Sequence, residues 1–256
     1  MILNLAAYHF VAISDPDALA RQLRDRFEAA SLRGTALVTP EGINLFLAGE
    51  PESLRAVVAW MRIDARFADL IVKWSESEHV PFKRLRVKRK REIITFRKDG
   101  LDPVGARAAA VDPPTLRRWL EQGRDDAGRA LVMVDTRNAQ EIDYGTFEGA
   151  LTFPIAKFTE LPEALERHRE ALRDKTLVSF CTGGIRCEKA AIWMQQAGYE
   201  HVLQLDGGIL GYFEQVGGYG YRDRCFVFDE RVALDPHLTP LRDEPVAGAR
   251  GPASSA

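Results

Sequence analysis

Apolar positions follow one rhythm in the first hundred residues and a different one after residue 131. Tyr8–Ile13 is a short aromatic and apolar run that predicts a strand. Ser14-Asp15-Pro16 then supplies a capping side chain and a first-turn proline, and Leu19, Leu23 and Phe27 recur at i, i+4 and i+8 on one helix face. Two apolar runs, 35–38 and 43–47, flank the turn Thr39-Pro40-Glu41-Gly42. Pro51 opens a second helix carrying Leu54, Val57, Val58 and Met61, and 69–74 returns to a strand. The order β-α-β-β-α-β predicts a ferredoxin-like α+β domain. This domain is placed at 1–98, with Ile93, Ile94 and Phe96 adding a further extended piece.

Residues 99–126 have the composition of a linker followed by a short helix: Gly100, Pro103, Gly105, an alanine run and Pro113-Pro114, then Leu116, Trp119 and Leu120. Beyond it the strands become continuous apolar runs: 131–135, 177–180 and 202–205. Helical patterns at 160–172 and 188–197 alternate with them, which predicts an α/β domain over 127–221 with a parallel sheet buried on both faces. Ligands of such sheets sit at the carboxyl ends of the strands, where Asp135, Cys181 and Asp206 fall. Residues 222–256 read as a C-terminal extension whose end, from about 240, is expected to be mobile.

Composition narrows the function classes. The 256 residues are 46% hydrophobic and 28% charged, which fits a folded chain of two domains. No run of eighteen uncharged apolar residues exists, so no membrane span is expected. The N-terminus lacks the basic start of a signal peptide, which makes a cytoplasmic location the expectation. The formal net charge of −2 conceals a segregation. Residues 83–98 hold nine Lys or Arg and one Glu, a net of +8, so the remainder carries −10. Lys83, Arg84, Arg86, Lys88, Arg89, Lys90 and Arg91 are candidate phosphate contacts for RNA, with Phe82 and Phe96 as candidate base-stacking rings. The competing reading is a solvated edge strand, where basic side chains discourage strand addition.

Three cysteines, with no CxxC pair, argue for reduced thiols and against a disulfide or zinc framework. The sharpest chemical signal is a buried strand followed by Cys181-Thr182-Gly183-Gly184-Ile185-Arg186-Cys187 and a helix. Glycines let loop amides converge on one point, the helix dipole adds positive character, and Arg186 and Lys189 add full charges. All of these favour a Cys181 thiolate, lowering its pKa from about 8.5. Such a thiolate is a nucleophile or the carrier of a terminal sulfur. Cys187 either resolves an oxidised or persulfidated Cys181 or faces the core from the helix; both remain open. Cys225 reads as packing rather than chemistry, His79 as a satisfied loop histidine ahead of a general base, and Trp60, Trp74, Trp119 and Trp193 as core.

Residues 127–221 resemble a rhodanese domain in Asp135-Thr136-Arg137, Glu141, Gly149-Ala150, Pro154, the loop from Cys181 to Arg186, and Asp206-Gly207-Gly208. Thr146-Phe147 replace the His-Ile common there, at a position that serves packing. A wider set occurs in order: Thr39 to Asn44, His79 to Arg84, Cys181 to Ala190, and Cys225-Phe226-Val227-Phe228-Asp229. On these, the sequence is similar over about 5–240 to the bacterial tRNA uridine-34 hydroxylase family, in a short form without the Cys-rich C-terminal extension of longer members. The resemblance implies tRNA as partner, O2 as co-substrate, 5-hydroxyuridine as product and Cys181 as the essential residue. It implies Asp135 and Arg137, like Cys187 and Lys189, as candidate helpers.

No cofactor is evident from the sequence: it has no GxGxxG fingerprint and no metal-ligand cluster, and its five histidines are widely spaced. Two routes for Cys181 suggest themselves: addition to C6 of uracil, which makes C5 nucleophilic, or work as a persulfide. The loop alone is also compatible with a persulfide sulfurtransferase or sulfur-relay protein, or with a non-catalytic rhodanese-like binding module. The retained Cys181 counts against the last. The basic N-terminal domain counts against a generic sulfurtransferase. Oligomeric state is not legible.

Overall fold

A computed structural model describes residues 1–241, which form two compact units that meet at Arg107 and Ala108. The expectation of a mobile tail falls almost wholly outside the described residues.

The first unit runs β1 (Ile2–Phe10), α1 (Pro16–Ala29), β2 (Arg33–Thr39), β3 (Gly42–Gly49), α2 (Pro51–Met61), β4 (Lys73–Ser77) and β5 (Leu85–Arg89). Its sheet has the order β4-β1-β3-β2-β5. The first four strands are antiparallel neighbours, and with the two helices they give the ferredoxin-like α+β arrangement. β1 begins six residues earlier than its aromatic run suggests. Asn4 and the Ala6-Ala7 pair weaken the strand signal there, but Leu3 and Leu5 are buried and Leu3 to Phe10 are paired to β3. The core lies between sheet and helices: Leu19, Leu23 and Phe27 of α1 and Leu54, Val57, Val58 and Met61 of α2 are all buried. Trp60 and Trp74 only flank this core, half-buried.

The basic segment itself supplies the fifth strand. β5 lies parallel to β2 at the sheet edge, with Ala36 opposite Val87. Val87 is buried, and the Arg24 guanidinium donates to its carbonyl at 2.8 Å. Ile93 and Phe96 are not a further strand: both are buried, and their backbone amides donate to the Glu41 and Glu92 carboxylates.

The second unit runs β6 (Ala110–Val111), α3 (Pro113–Gln122), β7 (Leu131–Asp135), α4 (Ala139–Ile142), β8 (Gly145–Phe147), α5 (Leu161–Glu166), β9 (Thr176–Phe180), α6 (Ile185–Gln196), β10 (Val202–Leu205), α7 (Gly208–Val216), β11 (Tyr221–Asp223), β12 (Cys225–Phe226) and β13 (Ala233–Leu234). The parallel sheet has the order β6-β10-β9-β7, the rhodanese-like α/β architecture. Residues 108–122, which the composition places in the linker and short helix, belong to this unit. Ala110 and Val111 pair with Gln204 and Leu205, and Leu116 and Trp119 of α3 enter the core. Proline and alanine content masked a two-residue strand and a helix whose proline pair sits at its start, where proline is favoured. Trp119 is core, whereas Trp193 is half-buried with its ring 6.3 Å from Tyr199.

Phe147 lies at the centre of this core. Its ring meets Phe180, Tyr212 and Tyr221 edge to face at 5.0–5.1 Å, contacts worth about 0.5–1.5 kcal/mol each beyond area burial. β8 pairs antiparallel with β11 and β12 with β13, so the chain beyond the parallel sheet folds back onto the residues that carry the chemistry.

Candidate active site

β9 ends at Phe180, and the next four residues turn the chain into α6. Gly184 makes that turn with φ +108°, a conformation open to glycine, and its amide donates to Cys181 Sγ at 3.1 Å. The other side of the loop is held by α7. The Ile209 amide donates to the Cys181 carbonyl at 2.9 Å and the Leu210 amide to the Thr182 carbonyl at 3.1 Å. This approach requires glycine at 208, where φ is +62°: a Cβ there would stand 2.5 Å from the Cys181 carbonyl oxygen and 2.7 Å from the Gly184 nitrogen. Gly183 has open space around its Cβ direction, and Ile185 begins the helix, partly buried.

Cys181 is 1% exposed. Burial pushes its thiol pKa up. The Cys187 thiol, the Arg186 charge and the backbone amides of Cys187 and Arg186 act against burial and hold it well below the ordinary thiol range. Cys187 is fully buried on the first turn of α6. Its thiol donates to the Gly184 carbonyl at 2.8 Å, with the two sulfurs 4.0 Å apart. Cys187 thus faces inward from the helix, with its sulfur in contact distance of that of Cys181.

Of the two cations the sequence offers to the thiolate, Arg186 weighs most. It is clamped by the Glu141 carboxylate through two hydrogen bonds of 2.6 Å, and both side chains are buried. Burial raises the Glu141 pKa, but the Arg186 charge and hydrogen bonds overcome it and leave the carboxyl below its usual range. Lys189 is also buried, one turn further along the helix.

Asp135 and Arg137 form a second buried pair. The carboxylate accepts from the Arg137 guanidinium at 2.6 Å and from the Thr146 hydroxyl at 2.7 Å, and Arg137 also donates to the Gly145 carbonyl at 2.7 Å. The contacts to Thr146 and the Gly145 carbonyl tie the end of β7 and the residues after it to β8, and none of the hydrogen bonds of the pair is to Cys181. Thr146 therefore hydrogen-bonds as well as packs. Cys225 is enclosed nearby, where burial pushes its thiol up to about 12 and leaves it uncharged.

Two contributors stand in the sequence reading only as motif residues, with no role assigned at the cysteine loop. Glu141 belongs to the rhodanese resemblance and sits in a capping box at the start of α4, and neither gives a sign that it clamps Arg186. The second is the β12–β13 hairpin: the Thr182 hydroxyl donates to the Phe226 carbonyl at 3.2 Å, and the Phe228 ring lies 5.8 Å from the Arg186 guanidinium.

In the first unit, Lys83, Arg84, Arg86, Lys88, Arg89, Lys90 and Arg91 are all exposed, on β5 and its flanks. Arg89 meets Asp17 at 3.5 Å. Phe96 is wholly buried and cannot stack on a base, since its ring serves the hydrophobic core; Phe82 is partly buried. His79 is exposed in its loop. Among the described residues no group of three or more His, Cys, Asp or Glu is arranged to hold a metal ion, and no helix is long and apolar enough to cross a membrane.

Residues 2–93 match the UPF0176 acylphosphatase-like domain and 113–215 the rhodanese-like domain. The chain is 63% identical over 243 residues to the tRNA uridine(34) hydroxylase of Xanthomonas euvesicatoria pathovar vesicatoria, an alignment covering 95% of this chain and 98% of the relative. Proteins of the same name from Xanthomonas axonopodis pathovar citri and Xylella fastidiosa are 62% and 60% identical, with 95% of this chain covered in both cases and 98% and 95% of the relative. With two domains matched in sequence order and such relatives aligned almost end to end, the chain belongs to the tRNA uridine(34) hydroxylase family.

Proposed function

We propose that this protein hydroxylates the wobble uridine of tRNA to 5-hydroxyuridine, with O2 as co-substrate and Cys181 as the essential residue. The observation that carries this reading is the Cys181 sulfur at the head of α6, 3.1 Å from the Gly184 amide and beside the clamped Arg186. A thiolate held there is a soft nucleophile suited to C6 of uracil. Addition at C6 makes C5 electron-rich; C5 takes one oxygen atom from O2 while a two-electron reductant carries the other to water, and loss of the C5 proton with departure of the sulfur restores the ring. The exposed basic residues of β5 fit the phosphates of the RNA substrate. A cytoplasmic location follows from this reading, because that is where bacterial tRNA is found.

The mass of the wobble nucleoside in tRNA from a deletion strain tests the reading. Loss of the species heavier by one oxygen atom, restored by the wild-type gene and not by Cys181→Ser, is the expected result. Loss of a sulfur-containing nucleoside instead would identify a sulfurtransferase. Full modification in the deletion strain would exclude both.

A further inference from the structure

Two aromatic rings stand among the exposed large apolar side chains of the described residues: Tyr219 at 44% and Phe228 at 38% exposure. Tyr219 lies against Arg117. Phe228 belongs to the cysteine site. The Arg186 guanidinium sits 5.8 Å from its ring centroid, and the same Arg186 charge acts on Cys181. Phe226 stands edge-on to it at 5.1 Å and 90°, is itself buried against Tyr144, and accepts the Thr182 hydroxyl at its carbonyl.

The hairpin that carries Phe228 is firmly built. Cys225 and Phe226 pair with Leu234 and Ala233. The Val227 amide donates to the Val232 carbonyl at 2.9 Å. Inside the turn, Asp229 accepts two hydrogen bonds from the Arg231 guanidinium, at 2.6 and 2.8 Å. Phe228 thus keeps part of its ring open to solvent on a hairpin that is otherwise paired and packed, and the arginine against that ring is the one whose charge acts on Cys181. A ring in that place suits a flat partner, and single-stranded RNA bases are recognised by stacking on such side chains.

We infer that Phe228 is the stacking platform for the uracil of the wobble nucleotide, presenting the base to the loop that carries Cys181. This rests on the proposed function and names a binding residue for it. Arg186 beneath the ring then has two tasks, charge beside the thiolate and support of the platform.

The test measures binding apart from chemistry, in the Cys181→Ser protein. An anticodon stem-loop with U34 is compared with the same stem-loop abasic at that nucleotide. Phe228→Ala is expected to weaken binding of the U34 stem-loop by about 5- to 150-fold, the range for one stacked base. Binding of the abasic stem-loop stays unchanged, and Phe228→Trp keeps the preference for the base. Equal losses on both stem-loops, or no loss on either, would overturn the inference. In the Cys181-containing protein, Phe228→Ala should leave alkylation of Cys181 at its wild-type rate. A collapse of that rate would show that Phe228 merely supports the loop, and would overturn the inference too. The wobble-nucleoside assay judges the proposed function separately, because it involves no change at Phe228.

Discussion

The sulfurs of Cys181 and Cys187 lie 4.0 Å apart, and the Cys187 thiol also donates to the carbonyl of Gly184, the residue whose amide faces Cys181. One residue thus serves both thiols from its two backbone groups. The Cys187 contact acts against the burial that raises the Cys181 pKa.

The alkylation rate of Cys181 against pH is therefore expected to show a midpoint below the free-thiol value of about 8.5. Cys187→Ala removes the neighbouring thiol that holds the Cys181 pKa down and should raise the midpoint, while wobble hydroxylation falls only in part. A wild-type midpoint at or above the free-thiol value would mean that burial dominates. A loss in Cys187→Ala as complete as in Cys181→Ser would mean that the two act as a dithiol.

Two glycines of the site should respond in opposite ways. Gly208→Ala puts a Cβ 2.5 Å from the Cys181 carbonyl oxygen in a left-handed backbone, which alone costs about 1–2 kcal/mol. It should lower stability by at least that much and abolish the modification. Gly183→Ala meets open space and should fold as wild type. Denaturant midpoints for the pair decide the matter.

The Glu141–Arg186 clamp is buried, so removing one partner leaves the other charge stranded. Glu141→Gln should destabilise the second unit by about 3–5 kcal/mol. The Glu141 pKa is lowered in the folded state, so its contribution is fully present above the usual glutamate range and disappears as pH falls through the lowered value. Denaturant unfolding in an acid series should show wild-type stability converging on that of the variant. A constant gap down to the lowest pH would remove Glu141 from this role.

Replacing Lys88, Arg89, Lys90 and Arg91 together with Ser should weaken tRNA binding and flatten its salt dependence, by up to about four units of log–log slope if each meets a phosphate. Cys181 belongs to the other compact unit, so its alkylation should stay near wild type. Unchanged affinity and slope would leave β5 as a charged edge and nothing more.

The legible parts of this fold are those in which one face is buried regularly. The stripes of α1 and α2 and the continuous runs of β7, β9 and β10 announce themselves by spacing alone. β6 does not, because two residues paired only to β10 have no period. The loop from Cys181 to Arg186 is legible because it needs glycine and cysteine in one order. Its clamp is not, because Glu141 and Arg186 meet across 45 residues of chain, and a carboxylate at a helix start has a local explanation already. Phe96 misleads in the other direction: an aromatic among basic residues suggests RNA, but it is buried in the core.

β6 pairs with the last strand of its sheet, and both the Thr182 contact and the Tyr221 contact to Gly145 come from residues beyond that sheet. The thiolate site can therefore close only when the chain as far as the β12–β13 hairpin has left the ribosome. The first unit, with its charged edge, ends at Arg107, so it is translated before any residue of the cysteine site. A nascent chain stalled after the first unit would carry the basic strand without the thiol chemistry.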